Sequence, residues 1–312
     1  MIFLSCRKNK PFTLSIIPSR GPTETVPLLF KCRRVDQSFL ISYLDHDASV
    51  AQAAVVFPLD YHYSTTTILL TMHGSGTTAS SHADAYKRML ATPLPTSVAE
   101  YITLAPSRFG AHNWEHTGAL SAKYAIYALR IILKNTLTTL KISTKMNKNI
   151  FIKKTRLPLP QVKIGYGIAS GHSMGSHGAW LVGIHNPDLF NCLVPLAGWV
   201  NKEEYGTANA FFHLDASNSY VSPYVKGLLH TTMSDTHVDK VLQNIDHMDV
   251  YIRVGALDNT VHPWYSRRIH RLLRELSINS TYEEVPNKQH WWWDTEYVND
   301  GGVLNDRNMR EF

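Results

Sequence analysis

Residues 164–185, IGYGIASGHSMGSHGAWLVGIH, run from an apolar stretch through glycines and a serine into a second apolar stretch with helical spacing. A strand that gives way to a helix across Gly171-His172-Ser173-Met174-Gly175 must turn sharply. Glycines two positions either side of the serine remove the side chains that would collide with the neighbouring elements. Such a turn lifts the Ser173 hydroxyl above the end of a strand. It also aims the N-terminus of the next helix at developing negative charge. The five-residue pattern is common by chance. The β-type run before it and the helical run after it give it weight.

Other segments repeat this alternation. TTTILLTMHGSG, YITLAP, NCLVPLAGW, MDVYIRVGALD and STYEEVP read as buried strands, and ADAYKRMLA, SAKYAIYALRIIL and PWYSRRIHRLLREL read as helices. Buried strands interleaved with helices predict an α/β fold, with a mostly parallel central sheet covered on both faces. Ligands in such sheets sit beyond the carboxyl ends of the strands. The glycine- and histidine-bearing turns fall at those ends. Upstream, VPLLFKC, SFLISYL and AQAAVVFPL read as strands, so residues 1–65 are expected to form a short β-rich N-terminal extension and 66–312 the catalytic domain. Residues 1–20 show no clear period and are expected to be a frayed end. Residues 201–248 mix helical patterns and fit a lid over the site.

Charge is concentrated locally. The net charge is +6, yet residues 134–163 hold eight Lys or Arg and no acid, and the remainder without them is −2. A solvated basic insertion explains this better than a basic face, so no nucleic-acid partner is expected. An apolar start followed by its charges does not read as an export signal, and no apolar run reaches the roughly 20 residues of a membrane span. The default expectation is a cytoplasmic chain with no membrane span. Oligomeric state is not legible. Three cysteines, Cys6, Cys32 and Cys192, and 16 histidines occur without metal-ligand spacing, so neither a disulfide framework nor a metal is expected.

A serine hydroxyl needs a base to remove its proton. His290, in VPNKQHWWWD after the last strand, fits that role. His262 and His270 fall beside or within the preceding helix, and His172, next to the serine, is expected to point elsewhere. Asp258, in the loop after DVYIRVGAL, fits the acid that fixes the imidazole tautomer. Asp294, four residues from His290, is the alternative. The oxyanion needs backbone donors. Met174 and, in the His73-Gly74-Ser75-Gly76 turn, Ser75 are placed to supply them. Arg108, His112 and Trp114 follow YITLAP at the same sheet end and could line a substrate pocket with Trp291. Packing is the plainer reading of the tryptophans.

The order Ser173, Asp258, His290, with HGSG, GHSMGSHGAW, GALDNTVHPWYSRRIH and KQHWWWD, resembles the α/β-hydrolase superfamily, and within it the catalytic domain of prolyl oligopeptidase-type serine peptidases, over roughly residues 65–300. The resemblance implies an α/β-hydrolase fold, a Ser173–Asp258–His290 triad, an acyl-enzyme, a small peptide or ester substrate and no cofactor. That family often follows the motif with a further glycine, where this chain has Ser176. It also commonly carries a β-propeller, for which residues 1–65 are too few. A carboxylesterase uses the same triad, and pocket shape separates the two. A catalytically silent binding module on this fold would be expected to lose a triad member, and all three are present.

Overall fold

The computed structural model describes residues 12–28, 38–57, 67–86, 101–107, 112–146, 167–201, 205, 222–292, 302–304 and 306–312. Ten strands lie among them: β1 (Phe12–Ile16), β2 (Glu24–Leu28), β3 (Phe39–Leu44), β4 (Val50–Val56), β5 (Thr67–Met72), β6 (Tyr101–Ser107), β7 (Gly167–His172), β8 (Phe190–Leu196), β9 (Asp249–Gly255) and β10 (Ser280–Val285). The helices are α1 (Ala79–Ala85), α2 (Thr117–Met146), α3 (Met174–His185), α4 (Pro223–Met233), α5 (Trp264–Glu275) and α6 (Arg307–Glu311).

Eight strands form one sheet in the order β10-β9-β8-β7-β5-β6-β4-β3. From β6 to β10 every pairing is parallel, and both pairings of β4 are antiparallel. β5 lies between β6 and β7, so the chain steps to one side of β5 and returns on the other. This reversal opens a crevice above the carboxyl ends of the central strands.

The strand interiors are buried on both faces. β5 is covered at every position but its first, and β9 likewise. That burial explains their largely apolar sequences, and the exception in β9, buried Arg253, is paired with Glu283 and Asp306. One face packs α2 and α3 against Leu70, Met72, Ala169 and Leu193, and Ile269 and Leu273 of α5 join the same core. A second cluster gathers Leu69, Tyr86, Val194, Leu196, Tyr251 and Trp292 with Val303, Leu304 and Met309. β3, at the sheet margin, alternates in exposure, with Ile41 and Tyr43 inward and Leu40 and Leu44 outward.

The expected boundary at residue 65 is corrected. β3 and β4 belong to the main sheet, with β4 paired to β6, so that sheet begins by Phe39. Among the described residues the β1–β2 hairpin pairs apart from it, and its first strand falls within residues 1–20, where no period was read. Of the basic insertion, residues 134–146 continue α2, whose thirty residues run to Met146; the rest lies outside the described residues. The lid expectation over 201–248 also changes. Val238, Leu242, Ile245 and Met248 are buried in the main core, and the Val238 amide donates to the Val200 carbonyl. Residues 238–248 are therefore part of the body. Among the described residues no helix is long and apolar enough to cross a membrane.

Candidate active site

Ser173 stands between β7 and α3 with φ 58° and ψ −120°. An L-residue avoids that region, at a cost of about 1–3 kcal/mol, unless its surroundings impose it. Here they do. The Ser173 amide donates to the Leu196 carbonyl at 2.9 Å, and the Ser173 carbonyl accepts from the amides of Ser176 and His177. A Cβ on Gly175 would be driven into the carbonyl oxygen of Met72, and one on Gly171 into the carbonyl of Gly175. The two motif glycines thus let β5, β7 and α3 close on the turn. Ser176, where the resemblance leads one to expect glycine, is buried against Gly198, whose missing side chain leaves its room.

Asp258 and His290 come together from separate loops. The Asp258 carboxylate is buried, and its Oδ1 accepts from the amides of Thr260 at 2.9 Å and Val261 at 2.8 Å. Its Oδ2 accepts from His290 Nδ1 at 2.7 Å. This acceptor places the ring proton on Nδ1 and leaves Nε2 with a lone pair. The loop that carries His290 is fastened to the end of β9, with the Leu257 amide donating to the Lys288 carbonyl and the Ala256 amide to that of Val285. Among the described residues neither the Ser173 hydroxyl nor His290 Nε2 makes a hydrogen bond. Such contacts are often loose until substrate arrives.

His172 was expected to point away, and it does not. Its ring lies 4.7 Å from that of His290 and 4.0 Å from that of Trp291, centroid to centroid. Its Nε2 is 2.9 Å from the His290 carbonyl oxygen, which can only accept, so Nε2 donates. Burial, reinforced by the neighbouring His290 imidazole, pushes its pKa well below the ordinary histidine value.

The turn after β5 approaches Ser173 closely. A Cβ on Gly74 would lie 3.2 Å from Ser173 Cβ, and the Ser75 hydroxyl is 3.9 Å from the Met174 sulfur. Met174 opens α3, so its amide is one of the first-turn donors that a helix cannot satisfy internally. Trp114 holds this turn from beneath. It is fully buried, with its indole N–H donating to the His73 carbonyl at 3.0 Å. His112 accepts from the Trp114 amide through Nδ1. Asn113, Trp114 and His116 all have positive φ, which concentrates strain in this brace. Trp291 is partly exposed beside His172. Arg108 and Asp294 lie outside the described residues. His262 and His270 engage the Trp264 amide and Ser280, away from the serine turn.

Sequence reasoning missed the aromatic row beside the acid loop. Trp199 stacks on Tyr205 at 3.9 Å and, on its other flank, on His177 at 5.2 Å. His177 bridges the Trp199 carbonyl and Glu115. Tyr205 meets Tyr265 edge-on. Burial raises the Tyr205 phenol pKa, with Tyr265 and Asp258 adding to the effect. Its residues are scattered over 115–265, so no local motif announces it.

Residues 165–301 match the model of the prolyl oligopeptidase family. An uncharacterized secreted protein of Arthroderma benhamiae is 31% identical over 128 residues, which is 41% of this chain and 13% of that protein. The chain therefore spans about an eighth of the length of that curated relative. Among solved structures, Porphyromonas gingivalis dipeptidyl peptidase 4 aligns with a TM-score of 0.53 at 12% identity, over 81% of this chain and 32% of that one. A ferulic acid esterase of Anaeromyces mucronatus aligns with a TM-score of 0.50 at 15% identity, over 82% of this chain and 85% of that one. The fold is that of the α/β-hydrolases. At these identities both neighbours share the fold with this chain and no more.

Proposed function

We propose that the chain hydrolyses an amide or ester through an acyl-enzyme, with Ser173 as nucleophile, His290 as base and Asp258 as its partner, and that it is of peptidase type. The observation that carries the reading is the 2.7 Å contact of buried Asp258 with His290 Nδ1, at the same end of the parallel strands as a serine held at positive φ. It leaves His290 in the tautomer whose Nε2 can accept the serine proton. As that proton leaves, the Ser173 oxygen bonds to the substrate carbonyl carbon. The amides of Met174 and Ser75 receive the resulting oxyanion. The imidazolium then protonates the leaving group, the carbon–leaving-group bond breaks, and the acyl group stays on Ser173. Water repeats the sequence, giving its proton to His290 and releasing the acid. No step calls for a cofactor.

Peptidase type is favoured because the family match spans residues 165–301 and so includes all three residues. A short peptide or small ester is the substrate class, with Trp291 and His112 at the margin of the site. A fluorophosphonate probe tests the chemistry. It should label the folded chain at Ser173, and Ser173→Ala should abolish labelling. A folded wild-type chain that resists the probe overturns the reading in favour of a silent binding module. Turnover of p-nitrophenyl esters with no cleavage of any short chromogenic peptide would move the assignment to a carboxylesterase.

A further inference from the structure

We infer that His172 is a positioning residue, which holds the base in reach of the nucleophile through a hydrogen bond from its Nε2 to the His290 carbonyl. The inference rests on the serine hydrolase reading above.

The topology poses the problem. The base loop follows β10 at one margin of the sheet, whereas the nucleophile follows β7, with β9 and β8 between them. The amide of Leu257 and the carboxylate of Asp258 tie the loop to the end of β9. Neither tie controls how far the loop leans toward β7. His172 does. It ends β7, immediately precedes Ser173 in the chain, and donates to the backbone of the base at 2.9 Å. One residue thus spans from the nucleophile turn to the main chain of the base. Its ring is fully buried, with the His290 and Trp291 rings packed against it and against each other.

The chemistry at the atoms supports a positioning role and excludes a proton-transfer role. His172 Nε2–H faces a carbonyl, which takes no proton. Its Nδ1 is buried without a hydrogen-bond partner among the described residues. Burial keeps the ring neutral. A neutral neighbour is what His290 needs when it becomes a cation, because a second imidazolium 4.7 Å away would oppose that charge. Without the donor, the His290 carbonyl becomes a buried acceptor with an unmet bond, and the loop can relieve it by shifting. A shift of about 1 Å in the base costs on the order of a hundredfold in rate.

Three variants of the full chain separate this role from mere packing. His172→Gln carries its amide nitrogen as many bonds from Cβ as Nε2 and can still reach the carbonyl. His172→Asn carries it where Nδ1 sits and cannot. His172→Phe keeps the ring and removes the donor. Each is measured by the fluorophosphonate labelling rate and by kcat and KM on a p-nitrophenyl ester. The Asn and Phe variants should lose about tenfold to a hundredfold in kcat and in labelling, with KM little changed, and the Gln variant should stay within about threefold of wild type. A Phe variant as fast as wild type overturns the inference, as does a Gln variant as slow as Asn. If circular dichroism shows the Phe variant unfolded, the Gln and Asn pair decides. A folded wild type that does not label removes the hydrolase reading and this inference together. A labelled wild type with Gln and Asn alike refutes His172 alone.

Discussion

Asp258→Asn tests the site at one atom, because the local geometry dictates which way the new amide must face. Asp258 Oδ1 accepts from the amides of Thr260 and Val261, at 2.9 and 2.8 Å. An asparagine turned the other way would aim its NH2 at those two N–H groups and lose both bonds, each worth about 1 kcal/mol, in a site closed to water. The carbonyl therefore keeps the Oδ1 position, and the NH2 replaces Oδ2, 2.7 Å from His290 Nδ1. That nitrogen can then only accept. The ring proton moves to Nε2, the atom that must be free to take the serine proton. Wrong tautomer with intact geometry cost about 10⁴ in kcat in the chymotrypsin-type precedent, and the same arrangement here predicts a similar loss, about 5.4 kcal/mol at 1.36 kcal/mol per tenfold. Shape and both loop bonds survive, so the melting temperature should hold within a few degrees. The assay is steady-state turnover of a p-nitrophenyl ester beside thermal unfolding. Turnover within tenfold of wild type, in a variant that melts with wild type, would show that Asp258 does not set the tautomer and would refute the reasoning.

Two further outcomes follow from the same coordinates. Gly175→Ala should cost more than about 3 kcal/mol, because the added Cβ meets the Met72 main chain and no flexible side chain can yield; a urea midpoint near that of wild type would contradict the close approach. Acid should unfold the protein through its buried histidines. His82 donates or accepts at Thr71 from a fully buried site, and burial depresses its pKa from 6.5 to about 3. The unfolded chain therefore binds a proton that the fold rejects. Stability is fully present above pH 6.5 and falls as pH drops toward 3, by up to about 1.4 kcal/mol per pH unit from this residue. His82→Gln should flatten the pH dependence of the urea midpoint between pH 6.5 and 4, and an unchanged slope would refute the assignment.

What could be read from the sequence was whatever repeats at short range. β5 and β9 are buried on both faces and so advertise themselves as largely apolar runs, and the serine turn is marked by glycines within five residues of one another. Asp258 and His290 were legible because each follows a strand, so the strand order implies which loops converge. The N-terminal boundary was misread because β4 is antiparallel and pairs with β6, whose contribution comes some fifty residues later; nothing local in VAQAAVV says which partner it takes. The 238–248 stretch was misread as a lid because its pieces are short 3-10 turns, whose apolar residues lack the helical period by which a core-facing helix is recognised. His172 was misjudged for a related reason. Alternation along β7 gives the face of a side chain, not the loop that will arrive there from β10.

The strain at Ser173 links these levels. A residue held at φ 58° costs about 1–3 kcal/mol, and an isolated turn would relax. It cannot relax here, because Leu196 of β8 holds its amide, the first turn of α3 holds its carbonyl, and the glycines bring β5 to within touching distance of α3. Those restraints come from elements that are buried for reasons of packing alone. The energy that fixes the hydroxyl is thus drawn from the whole sheet rather than from contacts made for catalysis. The strands that supply it also set the carboxyl ends at which Ser75, Asp258 and His290 emerge. A substitution that loosened the sheet without touching the site, such as truncation of fully buried Leu193 at about 2–5 kcal/mol, would therefore be felt as global instability before it was felt as misplacement of the serine.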